Sequence, residues 1–396
     1  MNSKEHNVVT TANYFEKQFN IKPAGVWAAP GRANLIGEHT DYNEGFVFPF
    51  AINRTTHCAI ALSDDDTIEV ASLFNNGSIK TAKINTNLNK SEIEDWSSYP
   101  LGVLWALKEA GYEIPGMRIF LTTDVPIGSG LSSSAAIECS VALAVRDLLN
   151  LDISRKLLAT YCQKAENEVA GAPTGIMDQS ASLLGKKDYA LYLDCRSLDT
   201  DLVPLNLDKT QVSILVVDTQ VKHALADGQG YTQRKNSCDK AAKILGVPSL
   251  RDIDVTELPE AKEKLDEETY KRLHHIVTEN ERVLKTIKTL EDGTIEDIGK
   301  LLNESHVSMR DDFEISCPEL DLAVKTAQDN GAIGARMTGG GFGGAALAVV
   351  KNSDIDKVSE AIKKAFEKAS YKAPNIFTVT AGEGAHKLNS VSKTTL

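Results

Sequence analysis

Two glycine-bearing stretches of this chain concentrate side chains able to do chemistry. One is Pro30-Gly-Arg-Ala-Asn-Leu-Ile-Gly-Glu-His-Thr-Asp-Tyr-Asn-Glu-Gly45, which brings Arg32, Glu38, His39, Thr40 and Asp41 close together with little periodicity. Dense hydrogen-bonding groups between apolar strands suit binding; the plain alternative is a hydrophilic surface loop. The other is Pro126-Ile-Gly-Ser-Gly-Leu-Ser-Ser-Ser-Ala-Ala136. A β-type run, Met117 to Val125, leads into it, and an Ala/Leu/Val-rich stretch, Ala135 to Leu149, follows as a buried helix. Glycines let successive N–H groups turn inward, and the helix start adds unpaired donors and a partial positive charge. Together these make an anion site, with Ser132, Ser133 or Ser134 as helix cap. A strand–turn–helix corner without ligand is the bland alternative. Neither better-known phosphate motif fits: no Lys completes a Walker A loop, and Ser133 stands where a dinucleotide fingerprint needs glycine.

A third glycine-rich stretch, Thr338-Gly-Gly-Gly-Phe-Gly-Gly344, does match G-x-G-x-x-G. Its context differs, because a β-type run follows it and the acids beyond, Asp356 and Glu360, fall inside an expected helix. Two strands joined by a loop that lets backbone pass close to something else is the better reading. Two isolated carboxylates stand out. Glu166 borders the apolar face of a helix capped by Ser154, with Leu157, Leu158, Tyr161, Cys162, Ala165 and Val169 inward; spacing favours an outward Glu166. Asp178 follows the break Gly171-Ala-Pro-Thr-Gly175, a place from which a carboxylate can face a cleft. Asp64-Asp-Asp66 reads as a solvated turn, since consecutive side chains alternate direction. His274-His275 reads as a partly exposed pair.

These residues need elements to hold them. Helical spacing predicts helices over Val9 to Phe19, Pro100 to Ala110, Tyr231 to Leu245, Glu268 to Leu290, Ile295 to Ser305, Pro318 to Asp329 and Asp354 to Ala369. The longest should turn Leu273, Ile276, Val277, Val283, Leu284 and Ile287 inward. Strands are expected at Gly25 to Ala29, Phe46 to Ile52, His57 to Leu62, Thr67 to Ser72, Tyr189 to Asp194, Val212 to Asp218 and Asn375 to Ala381. The pattern changes near Pro204 to Lys209, which places a domain boundary there. The length of 396 residues suits two domains.

Composition narrows the partners. A net charge of -12 argues against a nucleic-acid or anionic-membrane surface. The six scattered cysteines form no C-x-x-C pair and fit a reducing cytoplasm. No apolar run approaches a membrane span, and the first residues lack the apolar core of a signal peptide.

In order and spacing, the three glycine-rich stretches resemble the GHMP small-molecule kinases. The run Gly31-Arg-Ala-Asn-Leu-Ile-Gly-Glu-His-Thr-Asp-Tyr42 resembles the signature of the galactokinase branch. The resemblance covers essentially the whole chain. It implies an α+β, two-domain fold. Residues 1–205 would form a mixed-sheet domain (ribosomal S5 domain 2-like) with helices on one side, and residues 206–396 a ferredoxin-like α+β sandwich. The active site would lie between them. It implies ATP-dependent phosphorylation of the C1 hydroxyl of α-D-galactose, the opening step of galactose catabolism by the Leloir pathway, by a cytoplasmic monomer.

Residue by residue, the resemblance implies that Asp178 is the catalytic carboxylate, with Arg32 beside it. Glu38, His39, Thr40, Asp41 and Tyr231 would bind the sugar; Thr232 stands where the family commonly has Asn. Gly128, Ser129, Gly130, Leu131, Ser132, Ser133 and Ser134 would bind ATP, with Ser72 as a further nucleotide contact. Ser134 and Glu166 would hold Mg²⁺, reversing the outward reading of Glu166 from spacing. A related sugar kinase acting on N-acetylgalactosamine or arabinose is one rival. A non-catalytic galactose sensor is another, although Arg32, Asp178 and the serine run are all intact.

Overall fold

The computed structural model describes residues 3–74, 77–222 and 229–389. The first half runs α1 (Ser3–Phe19), β1 (Gly25–Asn34), β2 (Phe46–Val47), β3 (Pro49–Leu62), β4 (Thr67–Leu73) and β5 (Ile79–Asn85). It continues with α2 (Ser98–Glu109), β6 (Met117–Thr123), α3 (Ser133–Leu148), α4 (Arg155–Glu168), α5 (Met177–Leu184), β7 (Tyr189–Asp194) and β8 (Thr200–Pro204). The second half runs α6 (Leu207–Thr210), β9 (Val212–Lys222), α7 (Gln229–Leu245), α8 (Leu258–Lys264), α9 (Glu267–Asp292), α10 (Gly299–Asp311) and α11 (Pro318–Asp329). It ends with β10 (Gly334–Thr338), β11 (Gly343–Lys351), α12 (Ile355–Lys368), β12 (Asn375–Val379) and β13 (His386–Lys387).

The first sheet has the order β13-β1-β3-β6-β4-β5 and is mixed, because β4 and β6 run parallel while the other neighbours are antiparallel. Strand alternation splits its side chains between two cores. Trp27, Cys58, Ile60, Ile119 and Leu121 face α2, α3 and α4. Val26, Ala59, Ala61 and Phe120 face Phe15 of α1, so a helix covers the second face as well as the first. The four-stranded sheet has the order β10-β11-β9-β12, antiparallel throughout. With helices between β9 and β10 and between β11 and β12, this is the ferredoxin-like split βαβ arrangement. A third core, containing Leu35, Phe48, Leu131, Val216, Val283 and Leu347, spans both halves of the chain.

Several local expectations change. Pro30 and Gly31 read as the end of a strand, since both residues weaken strands. Yet β1 continues to Asn34, with a register shift between Pro30 and Arg32. That bulge re-aims Arg32, as bulges beside active sites commonly do. The two runs expected as separate strands fuse into β3 apart from Phe46–Val47. Leu157 and Leu284, expected inward, are 41% and 43% exposed. His275, expected partly exposed, is fully buried, its Nδ1 paired with Ser308 Oγ and its Nε2 with Glu38 O. Asp65 pairs with Arg118 in the acidic turn. The end of the chain crosses back: β13 pairs with β1, and Ala385 sits in the core under the first sheet.

Candidate active site

The site is built where β1, α3 and α5 meet. Arg32, just past the bulge in β1, faces the first turn of α5. Its Nε and Nη2 donate to Asp178 Oδ1 and Oδ2 at 2.8 and 3.0 Å, a two-pronged charge-assisted contact. Its Nη1 donates to Gly130 O at 2.6 Å. Burial works against the Arg32 charge, but Asp178 and Glu38 outweigh it and hold the pKa above its ordinary value. Ser182 Oγ donates to Pro30 O at 2.7 Å, fixing α5 to β1. Asp178 sits at a helix N-terminus, where a negative charge is favoured.

The loop before α3 lies against β1. Arg32 N–H donates to Leu131 O at 3.0 Å, and a Cβ on Gly31 would stand 2.5 Å from that oxygen. Ser132 occupies the cap position with φ +54, but its hydroxyl donates to Asp178 Oδ2 rather than capping the helix. The first-turn donors of α3 stay available beside Arg32 and Asp178, as anion binding requires.

The loop after β1 forms the opposite wall. Glu38 Oε1 accepts from Gly339 N–H at 2.8 Å and Thr338 Oγ1 at 3.2 Å. Burial pushes the Glu38 carboxyl up, opposed by Arg336 and Arg32. Burial drives the His39 imidazole down to about 3, so the ring is neutral at pH 7. Its Nε2 lies 3.1 Å from Gly340 O, which can only accept, so Nε2 carries the hydrogen. Nδ1 therefore accepts from Tyr42 Oη at 2.7 Å. Burial, then the nearby Asp178 charge, raises Asp41 to about 7. The Tyr231 ring packs 4.8 Å from His39 and 5.3 Å from Tyr42.

These walls enclose a cavity of about 270 Å³ lined by Arg32, Glu38, His39, Asp41, Gly128, Gly130, Leu131, Ser132, Ser133, Ser134, Glu166, Asp178 and Tyr231. Thr174, Met177, Gly339 and Gly340 also line it and were missed as site residues. For the last two, the signal was the glycine loop that brings backbone close to a neighbour. Three expected site residues do not line it. The Thr40 hydroxyl is spent on Gly37 O and Phe46 O at 3.0 and 2.6 Å, closing its own loop. Ser129 Oγ donates to Pro126 O. Ser72 lies on β4, paired with Lys80 and Leu121 of the neighbouring strands.

Family models match along the chain: "Galactokinase galactose-binding signature" at residues 13–62, "GHMP kinases N terminal domain" at 98–186 and "GHMP kinases C terminal" at 286–368. A galactokinase of Streptomyces coelicolor is 46% identical over 381 residues, covering 96% of this chain and 98% of that protein. The chain belongs to the galactokinase family. A crystal structure of Lactococcus lactis galactokinase complexed with galactose superposes with a TM-score of 0.89 at 34% identity, covering 96% of this chain and all of that one. Methanococcus jannaschii mevalonate kinase, at 20% identity and a TM-score of 0.65, shares the fold over 90% of this chain and 98% of its own. The α+β, two-part GHMP kinase fold expected from the sequence is thus borne out.

In this galactokinase-family site Glu166 faces inward, 4% exposed, correcting the outward reading from spacing. Its Oε2 accepts from Thr174 Oγ1 at 2.8 Å and Gln179 Nε2 at 2.7 Å. Gln179 Nε2 also donates to Glu138 Oε2 at 3.0 Å, and Glu138 Oε1 is buried without a partner. Burial, then the charge of Asp178, pushes the Glu166 carboxyl up; burial, then Glu166, does the same to Glu138. Two crowded carboxylates, one of them with an unpartnered oxygen, and the Ser134 hydroxyl that bonds Glu166 are a donor set that a hard cation would relieve. Among the described residues no group of three or more His, Cys, Asp or Glu side chains forms a complete metal cage. Glu138 was legible in principle as the one charged residue between Ala135 and Val145 of α3.

Proposed function

We propose that this chain transfers the γ-phosphoryl group of ATP to the C1 hydroxyl of α-D-galactose, giving α-D-galactose 1-phosphate and ADP. The observation that carries the reading is the two-pronged Arg32–Asp178 pair, held at the start of α3 and facing a wall of Glu38, Asp41 and Tyr231. The galactose complex of the Lactococcus lactis relative supports the sugar. The C1 oxygen forms a bond to phosphorus while the bond from phosphorus to the ADP oxygen breaks, its electron pair leaving with ADP. Asp178 takes the C1 hydroxyl proton. Arg32 holds both Asp178 oxygens in place and faces the charge that develops on the transferred group. Gly128, Gly130 and Leu131 to Ser134 hold the phosphates through backbone donors and hydroxyls.

Glu166 and Ser134 would hold Mg²⁺, with phosphate and water completing its shell. When bound, the ion neutralises charge on the phosphate oxygens. In this reading the halves divide near residue 205 and the enzyme acts as a cytoplasmic monomer; six free thiols support a reducing compartment. No helix among the described residues is long and apolar enough to cross a membrane.

The test is a coupled ADP-release assay on galactose, glucose, N-acetylgalactosamine and arabinose. Galactose should exceed its C4 epimer glucose by roughly tenfold to more than a hundredfold, because an epimer leaves a buried polar group unpaired. Equal rates on glucose and galactose would reject the assignment. For the metal, Glu166→Ala should raise the Mg²⁺ needed for half-maximal rate more than it weakens galactose binding in a parallel titration. Equal losses would make Glu166 a structural residue.

A further inference from the structure

A carboxylate from the far half of the chain grips the backbone of the sugar-side loop. Glu279 of α9 is fully buried and does not line the cavity. Its Oε1 accepts from Gly37 N–H at 2.9 Å, Glu38 N–H at 3.4 Å and Ser305 Oγ at 2.7 Å. Its Oε2 accepts from Arg282 Nε at 2.6 Å. Fully buried Arg336 stands between the two acids, its Nη2 3.6 Å from Glu38 Oε1 and 3.7 Å from Glu279 Oε1. Its Nη1 donates to Asn34 O and Leu35 O at 2.8 and 3.0 Å. Burial alone would raise the Glu279 carboxyl, but Arg282 and Arg336 outweigh it and hold it below the usual carboxylate range. The group is therefore a fixed anion, and a buried charge of this kind binds its donors tightly.

Gly37 lets the loop come this close. It has φ +100, and a Cβ there would meet Phe46 O at 2.8 Å and Val283 Cγ2 of α9 at 2.9 Å. The carboxylate thus anchors the backbone immediately before the residues that face the cavity. A buried ion network can also serve stability alone. The difference lies in which substrate a disturbance affects.

We propose that Glu279 is a positioning residue for the sugar: by accepting the Gly37 and Glu38 N–H groups it sets where Glu38, His39 and Asp41 stand. The inference rests on the galactose kinase reading and names a determinant of that site outside its lining. Arg336 and Arg282 hold the carboxylate in place, so α9 and β10 set the geometry of a loop that follows β1.

The test is Glu279→Gln, which keeps the volume but removes the charge that balances the two arginines. Galactose Kd by calorimetry and galactose KM should rise roughly tenfold or more, as loss of a charge-assisted anchor implies, while KM for ATP stays within about twofold. A lower melting temperature with both KM values unchanged, or both rising together, would overturn the proposal. If the variant does not fold, Ser305→Ala takes its place. It removes one donor to Oε1, leaves the charge, and should raise galactose KM by roughly twofold to fivefold with ATP unaffected. No selective rise would again overturn it. Wild-type protein is titrated alongside. Failure of the wild type to bind or phosphorylate galactose would remove the functional reading itself. Equal galactose affinity in wild type and variant would remove only the role of Glu279.

Discussion

Asp178 is engaged on both oxygens, by Arg32 and by Ser132, so holding and proton transfer can be separated at this residue. Asp178→Asn keeps the shape but cannot take a proton. Its turnover should fall by about a hundred to ten thousand times with galactose affinity within a few-fold, the usual effect of losing a general base. Single-turnover assays on purified protein check this, and near-wild-type turnover would refute the assignment. Asp41 offers a second test. Its folded pKa, about 7, lies above the ordinary 3.8, so between those values the folded chain keeps a proton that the unfolded chain releases. Asp41 therefore makes stability fall as pH rises from about 4 to about 7, by no more than about 1.4 kcal/mol per pH unit. Denaturant titrations of wild type and Asp41→Asn should show the wild type losing stability relative to the variant across that window. Parallel curves would mean that Asp41 titrates normally.

Helix starts and glycine loops interlock across the cavity. Gly339 has φ +84, and a Cβ there would meet Gly130 O at 2.9 Å and Gly130 Cα at 3.2 Å. In return, a Cβ on Gly130 would approach Thr338 O at 3.2 Å. The loop between β10 and β11 therefore packs on the loop that precedes α3, and its glycine is required twice, for conformation and for space. Gly339→Ala should cost about 1–3 kcal/mol of stability and raise KM for ATP more than KM for galactose. Unfolding curves and paired KM measurements check it; an effect confined to galactose would place the contact on the sugar side.

Across the whole molecule, the returning end of the chain braces the helix that bears Asp178. Ala385 N–H donates to Ser182 O and Gly384 N–H to Gly185 O, tying the segment before β13 to the end of α5, the helix whose first turn carries Asp178. His386 and Lys387 pair with Ala28 and Trp27 of β1, the strand that bears Arg32. Removing residues 384–396 should lower unfolding stability by about 1–3 kcal/mol, because Ala385 leaves the core and backbone hydrogen bonds are lost. It should also reduce kcat, since β1 and α5 lose a shared brace. Urea unfolding and steady-state rates on the truncated chain test both; unchanged values for both would show that the strap is ornamental.

Local chemistry was legible in the amino-acid sequence wherever it repeats over a few residues. Ser154 caps α4 as its type and position imply, and β7 and α11 have the bounds that their patterns dictate. The glycine-rich runs announced close backbone approach before any neighbour was known. What sequence could not decide is what a side chain meets from a distant part of the chain. Spacing turned Glu166 outward, because an isolated buried carboxylate is costly; the partners that make burial tolerable, Thr174 and Gln179, arrive from the next break and helix. Pro30 and Gly31 broke the strand pattern, yet pairing with β3 carries β1 on to Asn34 through a bulge. His275 looked half exposed on an amphipathic helix until the loop after β1 covered it. Periodicity reports one element's own face, whereas burial, ionisation and the shape of a site depend on which second element packs there, and that is set only by the tertiary fold.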